Sequence, residues 1–195
     1  VSLTTLSPYT TLVQSCRCLE GLRPLALVDA ILAKKNLGTH RKMAKYTLAL
    51  GPGFTAGADV DLVIETMRGH SLGRIIREGS AMPNTGVPGI IAGYGKERVV
   101  HAPADGTLHI LHDIGDSVEK GEPLGLIGEV KVPSPLSGLL RGILPDGFAV
   151  TKGLKMADVD PRLSAYANCF TISDKARRIG GGLMQGLLTH MREGL

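Results

Sequence analysis

The sequence predicts a mainly β protein, α+β as a whole, organised around a small two-sheet β barrel or sandwich at residues 99–160. The first observation behind this is a repeat. Pro103-x-x-Gly106-x-Leu108, six residues, then Gly115-x-x-Val118-x-Lys120-Gly121 returns as Pro135-x-x-Gly138-x-Leu140, six residues, Gly147-x-x-Val150-x-Lys152-Gly153. Every matched position moves by 32 residues with no gap. Seven identities in register mark two copies of one supersecondary unit. Each copy reads as strand, tight turn, strand, turn, short strand. Gly115 and Gly147 stand where the chain needs a positive φ, and Lys-Gly closes each second turn. Each copy has one apolar face, and neither is stable until it is covered by the other. The second observation is composition: 26 Gly and 11 Pro against three Phe, four Tyr and no Trp favour short strands and many turns. The third is that 43% hydrophobic residues suffice for a core. No apolar run reaches the roughly 18 residues of a membrane span.

The elements follow in chain order. Residues 1–24 are polar, without period, and unassigned. Residues 25–32 (Leu-Ala-Leu-Val-Asp-Ala-Ile-Leu) form an apolar run of buried-strand type. A second strand over 46–50 feeds a glycine-rich loop, Gly51-Pro52-Gly53-Phe54-Thr55-Ala56-Gly57. A glycine loop after a strand invites a phosphate-binding reading. Asp59, Asp61 and a further strand over 62–66 come next, whereas the dinucleotide fingerprint requires a helix there. The loop is therefore either a small-ligand loop or a tight connection. Residues 168–173, containing Cys169, read as a strand with the cysteine a buried small hydrophobe or, in the alternative, a redox or sulfur-handling thiol. Ser173-Asp174 caps a helix over 175–191 with Ala176, Ile179, Leu183, Leu187 and Met191 on one stripe. Gly180-Gly181-Gly182 within it should cost roughly 2–3 kcal/mol relative to alanines. Either another backbone approaches closely there or the helix breaks. The expected organisation is 1–24 unassigned and foreign or disordered, 25–98 a glycine-loop segment, 99–160 the repeat, and 161–195 a strand and helix.

Charge and reactive residues exclude several classes. The net charge of +4 and pI near 9.1 are mild. Basic residues gather at Lys34, Lys35, His40, Arg41, Lys42 and Lys45 without interleaved aromatics, which argues against nucleic acid. They form either a solvated basic face or an anion site for a phosphate-bearing ligand. Cys16-x-Cys18 lacks zinc-knuckle spacing and a second pair. His109 and His112, three apart on a strand, point to opposite faces, so no metal site is expected. The N-terminus lacks the charged-then-apolar order of a signal peptide, which points to the cytoplasm.

The segment 102–124 resembles the first half of a biotinyl or lipoyl carrier domain, a barrel-sandwich hybrid of two quasi-symmetric halves. In that family the cofactor-bearing lysine sits at the hairpin tip between halves. Here the tip is Gly128-Glu129, and Lys131 lies one step into the next strand between Val130 and Val132. With both valines inward, Lys131 faces solvent as an ordinary surface lysine. Lys155-Met156 echoes the motif in letters but follows the second half. No modified lysine, biotin or lipoate is expected.

A second resemblance covers residues 25–190. Val28-Asp29-Ala30-Ile31-Leu32-Ala33-Lys34-Lys35-Asn36, Leu50-Gly51-Pro52-Gly53-Phe54-Thr55-Ala56-Gly57, Glu65-Thr66-Met67-Arg68-Gly69-His70, Pro83-Asn84-Thr85-Gly86-Val87-Pro88-Gly89 and Phe170-Thr171-Ile172-Ser173-Asp174-Lys175-Ala176 are similar, in the same order, to the selenium-dependent molybdenum hydroxylase system proteins. That resemblance implies an accessory factor that helps mature a molybdenum hydroxylase, with the hydroxylase or its maturation machinery as partner. It also implies a molybdopterin-type, non-covalent ligand. Family members carry an N-terminal Rossmann-like part, of which residues 25–32 would be the last strand here. The alternative is an enzyme acting on the pterin-type cofactor with Asp59, Asp61, Glu65, Arg68 and His70 as its polar cluster. No nucleophile–base pair stands at recognisable spacing, which favours the accessory factor. The ligand-binding candidates are Gly51, Gly53, Thr55, Gly57, Asp59, Asp61, Glu65, Arg68, His70, Asn84 and Thr85. The loops 51–57 and 65–70 are expected to pack near 83–89.

Overall fold

A computed structural model describes Leu19 and residues 21–193, so the expectations for Cys16, Cys18 and most of residues 1–24 lie outside the described residues. The chain is mainly β with a C-terminal α-helix, and it divides into two compact units. One takes residues up to Thr85 together with those from Ser173 onward, and the other is Gly86–Ile172. The C-terminal helix thus belongs to the N-terminal unit rather than to a module over 161–195.

In the first unit, β1 (Ala26–Asp29), β2 (Tyr46–Leu50) and β4 (Leu62–Ile64) run parallel, and β5 (Ile75–Ile76) adds antiparallel to β4. The sheet order is β1-β2-β4-β5. A two-stranded pair, β3 (Thr55–Ala56) with β6 (Gly79–Ser80), completes the strands of this unit. β2 and β4 are buried along nearly their whole length because both sheet faces are covered, and the buried Thr47 of β2 is hydrogen-bonded to Asp61. Tyr46, Leu48 and Leu62 pack against Leu183, Leu187 and Met191 of α1 (Asp174–Glu193), while Ala49 and Val63 pack on the opposite side with Phe54, Ala56, Val60 and Ala81.

Helix α1 begins as the capping pattern predicts, with the Ser173 hydroxyl accepting from the Ala176 amide at 3.1 Å. The triple glycine is explained at its third member. A Cβ on Gly182 would overlap the carbonyl oxygen of Gly73, and one on Gly73 would stand 2.7 Å from the Arg178 carbonyl. Gly180 and Gly181 face open space. The helix therefore lies against the loop that follows β4, which only paired glycines permit, and it does not break. Ala176, expected on the buried stripe, is exposed.

The second unit holds the repeat. Its strands are β7 (Val99–His101), β8 (Gly106–Ile110), β9 (Ser117–Val118) and β10 (Pro123–Ile127), then β11 (Val130–Pro133), β12 (Gly138–Ile143), β13 (Ala149–Val150) and β14 (Lys155–Asp160). Sheet orders β11-β10-β8-β13 and β7-β14-β12-β9 interconvert when every strand is moved by the 32-residue shift. Hydrogen bonds obey the same exchange: Gly115 N–H to Leu140 O is mirrored by Gly147 N–H to Leu108 O, and Gly121 N–H to Ser134 O by Gly153 N–H to Ala102 O. Each half lends one strand set to each sheet, so the core is made of equivalent pairs: Val100 with Val132, Leu108 with Leu140, Val118 with Val150, and Leu124 with Met156.

Two details depart from the sequence reading. At the Gly128-Glu129 turn, Val132 is buried but Val130 is 42% exposed beside the exposed Lys131. The strand start projects past the core, so alternation does not hide Val130. No strand forms at 168–173: the 3-10 helix Leu163–Cys169 takes its first two residues, 170–173 are irregular, and Cys169 is only half-buried. Tyr166 and Phe170 are four residues apart, a helical spacing, and meet edge to face at 5.3 Å. Both lie on Gly115, where a Cβ would come within 2.7 Å of the Phe170 ring.

Candidate functional site

The parallel sheet has two ends, and the structure distributes the candidate residues between them. Loops leaving the carboxyl ends of β1, β2 and β4 meet on one edge, the position where open parallel sheets gather ligand contacts. The loop after β1 is built on buried Asp29, whose carboxylate accepts from the Ile31 amide at 3.1 Å and the Thr39 hydroxyl at 2.6 Å. Asn36 closes it by accepting from the Gly38 and Thr39 amides. Between these anchors Leu32 (φ 59) and Lys34 (φ 64) hold left-handed conformations without being glycine. Such strain persists only where the surroundings impose it, and it clusters at functional sites.

Gly51 and Gly53 belong to this edge. Gly51 (φ 77) donates to Ile64 O, and a Cβ there would come within 2.5 Å of the Thr66 hydroxyl oxygen. At Gly53 (φ 105) a Cβ would meet the Lys35 backbone at 2.6 Å. The glycines let three loops touch, which answers the choice between ligand loop and tight connection: the connection is tight, and it lies on the ligand-favoured edge.

Glu65, the first residue past β4, is 3% exposed. Its carboxylate accepts from the Met67 amide at 2.7 Å and the Met82 amide at 2.8 Å, so it clasps the segments 65–70 and 82–85. It also lines a cavity of about 580 Å³ with Ser71, Arg74, Arg77, Met82 and Pro83. With both oxygens engaged by backbone donors, Glu65 is a positioning group rather than a free acid or base. Arg68 is exposed and pairs with Asp174 at 3.1 Å. His70, Asn84 and Thr85 are exposed. Thr85 ends the first unit, and residues 86–89 belong to the other.

Lys175 at the start of α1 joins the same edge. Burial, reinforced by the neighbouring charges of Lys34 and Arg68, pulls its ammonium below the usual lysine range, with Glu65 opposing. Sequence reasoning missed Lys175 because its neighbours are distant in the chain. The sequence groups Lys34 with His40, Arg41, Lys42 and Lys45, but the fold places Lys34 after β1 on this edge and the other four on the opposite one.

Thr55, Gly57, Asp59 and Asp61 lie elsewhere. Asp59 accepts from the Thr55 amide at 2.8 Å and closes the turn after β3, and Thr55 shares a hydroxyl contact with Ser80 at 3.0 Å across the β3–β6 pair. Asp61 precedes β4, on the amino-terminal edge. Burial would raise its carboxyl, but donors from the Thr47 amide and hydroxyl and from Arg41 outweigh this and hold it below the usual carboxylate range. The polar cluster Asp59, Asp61, Glu65, Arg68 and His70 is therefore not one constellation: its first two members are on the opposite edge from Glu65. Among the described residues no group of three or more His, Cys, Asp or Glu could hold a metal ion, and no helix is long and apolar enough to cross a membrane.

No protein-family model matches the chain. Over 181 residues, 93% of its length, it is 50% identical to the uncharacterized protein YqeB of Escherichia coli strain K12. It spans only 33% of that relative, about a third of its length. Among solved structures it is similar to a succinylglutamatedesuccinylase/aspartoacylase from Rhodobacter sphaeroides, 25% identical over 32% of this chain and 22% of that one. The TM-score is 0.28, a likeness too slight to carry an argument.

Proposed function

We propose that this chain is the ligand-holding part of an accessory protein that helps mature a selenium-dependent molybdenum hydroxylase in the cytoplasm, binding the enzyme or its pterin-type cofactor without transforming it. One observation carries the reading: loops from three parallel strands converge with Lys34, Arg68 and Lys175 on one edge, while the buried carboxylate there is spent on backbone donors. Such an edge is equipped to attract and orient an anionic ligand, and a molybdopterin-type cofactor carries a phosphate. The molybdenum hydroxylase itself comes from the sequence resemblance.

The test is genetic and chemical together. In a host whose full-length gene is deleted, the wild-type protein should restore hydroxylase activity and pterin loading. R68A/K175A should restore them poorly while melting at nearly the wild-type temperature. T85A reports on the neighbouring segment. Hydroxylase that is fully active and loaded in the deletion host would remove the proposed role altogether.

A further inference from the structure

We propose that the hollow on the amino-terminal edge of the parallel sheet, opposite the site above, binds the phosphate group of a small-molecule ligand. The hollow measures about 730 Å³ and is lined by His40, Arg41, Lys42, Lys45, Ala58 and Asp61. Three cations thus face one carboxylate, and that carboxylate is already engaged. Asp61 accepts Arg41 Nε at 2.7 Å through one oxygen, and the Thr47 amide and hydroxyl at 2.8 and 2.9 Å through the other. It neutralises one charge and leaves an excess near two, the charge of a phosphate dianion.

Two of the cations are held before any ligand arrives. The Arg41 guanidinium is fixed from two sides, by Asp61 and by the Gly57 carbonyl at 2.9 Å. The Lys45 ammonium lies 5.1 Å from the Tyr46 ring, which is itself buried and braced edge-on by His190 at 5.4 Å. A positioned donor set loses less side-chain freedom on binding than loose surface lysines do. The 3-10 turn Arg41–Met43 brings Arg41 and Lys42 onto the same short segment. With Nε and one terminal nitrogen of Arg41 so engaged, its other terminal nitrogen is left to donate to a phosphate oxygen, and the lysines add point charge.

The rest of the lining sets the class of ligand. The hollow is larger than a phosphate group, so it has room for an organic portion. Among the described residues that line it there is no Phe, Tyr or Trp ring for base stacking, which disfavours nucleic acid. This inference does not rest on the carboxyl-edge reading, since the two sites share no residue.

Inorganic pyrophosphate, titrated into the full ¹⁵N-labelled chain at low salt, tests it. Saturable amide shifts are expected at residues 40–45 and 57–61. K42Q/K45Q should weaken binding about tenfold, the loss of charge-assisted contacts, while K120Q/K152Q, exposed lysines of the other unit, should leave it unchanged. The proposal falls if no saturable shift occurs at residues 40–45 and 57–61, if K42Q/K45Q binds like wild type, or if K120Q/K152Q loses as much binding. Tighter binding of duplex DNA or of phosphatidylglycerol vesicles through Lys42 and Lys45 would also overturn the small-molecule assignment.

Discussion

Substituting alanine at each of the three consecutive glycines of helix α1 should give effects of opposite sign. In an exposed helix interior, Gly→Ala is worth about 1 kcal/mol in favour of the helix, because the unfolded chain loses freedom and the backbone is shielded. Gly180 and Gly181 have no heavy atom within 4 Å of an added Cβ, so G180A and G181A should each stabilise by nearly that amount. At Gly182 the added methyl would fall inside the Gly73 carbonyl, and Gly73, at φ 83, cannot retreat without abandoning its own close seat against Arg178. Overpacking of this kind costs about 1–3 kcal/mol and here meets backbone on both sides, so the upper end applies. Net of propensity, G182A should destabilise by about 2 kcal/mol, lowering the melting temperature of its unit by about 8–16 °C. Circular dichroism at 222 nm follows the helix directly. A G182A protein as stable as G180A would mean that the helix does not rest on the 65–74 loop, and the placement of Lys175 beside Arg68 would fall with it.

The second unit and its charges supply the other outcomes. Asp160 is fully buried and hydrogen-bonded to Arg162 and Arg141, and its carboxyl is lowered to about 2 from an ordinary 3.8. A depressed carboxyl stabilises above its unfolded value, so about 2 kcal/mol should be present above pH 4 and disappear as pH falls towards 2. Urea titrations at pH 6 and pH 3 should show about half of that loss, roughly 1 kcal/mol, in wild type, and a much smaller one in D160N, which starts from lower stability. The exchange symmetry predicts that L108A and L140A, both fully buried and paired by the 32-residue shift, each cost about 3 kcal/mol. A difference above about 1.5 kcal/mol would show that the halves are not energetically equivalent. Intact mass after co-expression with a biotin or lipoate ligase should show no gain. A cofactor on Lys131 or Lys155 would reverse the reading of both as plain surface lysines.

The repeat was legible because its information is local and doubled. Positive-φ glycines at 115 and 147, alternating Leu and Val, and Lys-Gly turns each dictate a short segment, and two copies supply each other's missing face. What the letters do not carry is pairing between sheets, yet the shift symmetry leaves few ways to pair them. Where local signals conflict, the sequence misled. Apolar residues at 163, 166 and 170 fit a helical turn as well as a strand, and the packing of Tyr166 and Phe170 on Gly115 favours the turn.

The candidate site was half legible for a related reason. Gly51, Gly53 and Glu65 announced themselves because left-handed turns and a carboxylate after an apolar run are chemically conspicuous. Asp59 and Asp61, only a few residues from Glu65, looked like its partners, but β4 lies between Asp61 and Glu65 and carries them to opposite edges of the sheet. A parallel strand holds its two flanking loops apart by its whole length, so near neighbours in sequence become members of different sites. The converse holds for Lys175, more than a hundred residues from Arg68 and yet on its edge, because α1 runs back across the sheet on the Gly73–Gly182 contact. In this chain the functional grouping is set by strand ends and by one glycine-mediated crossing.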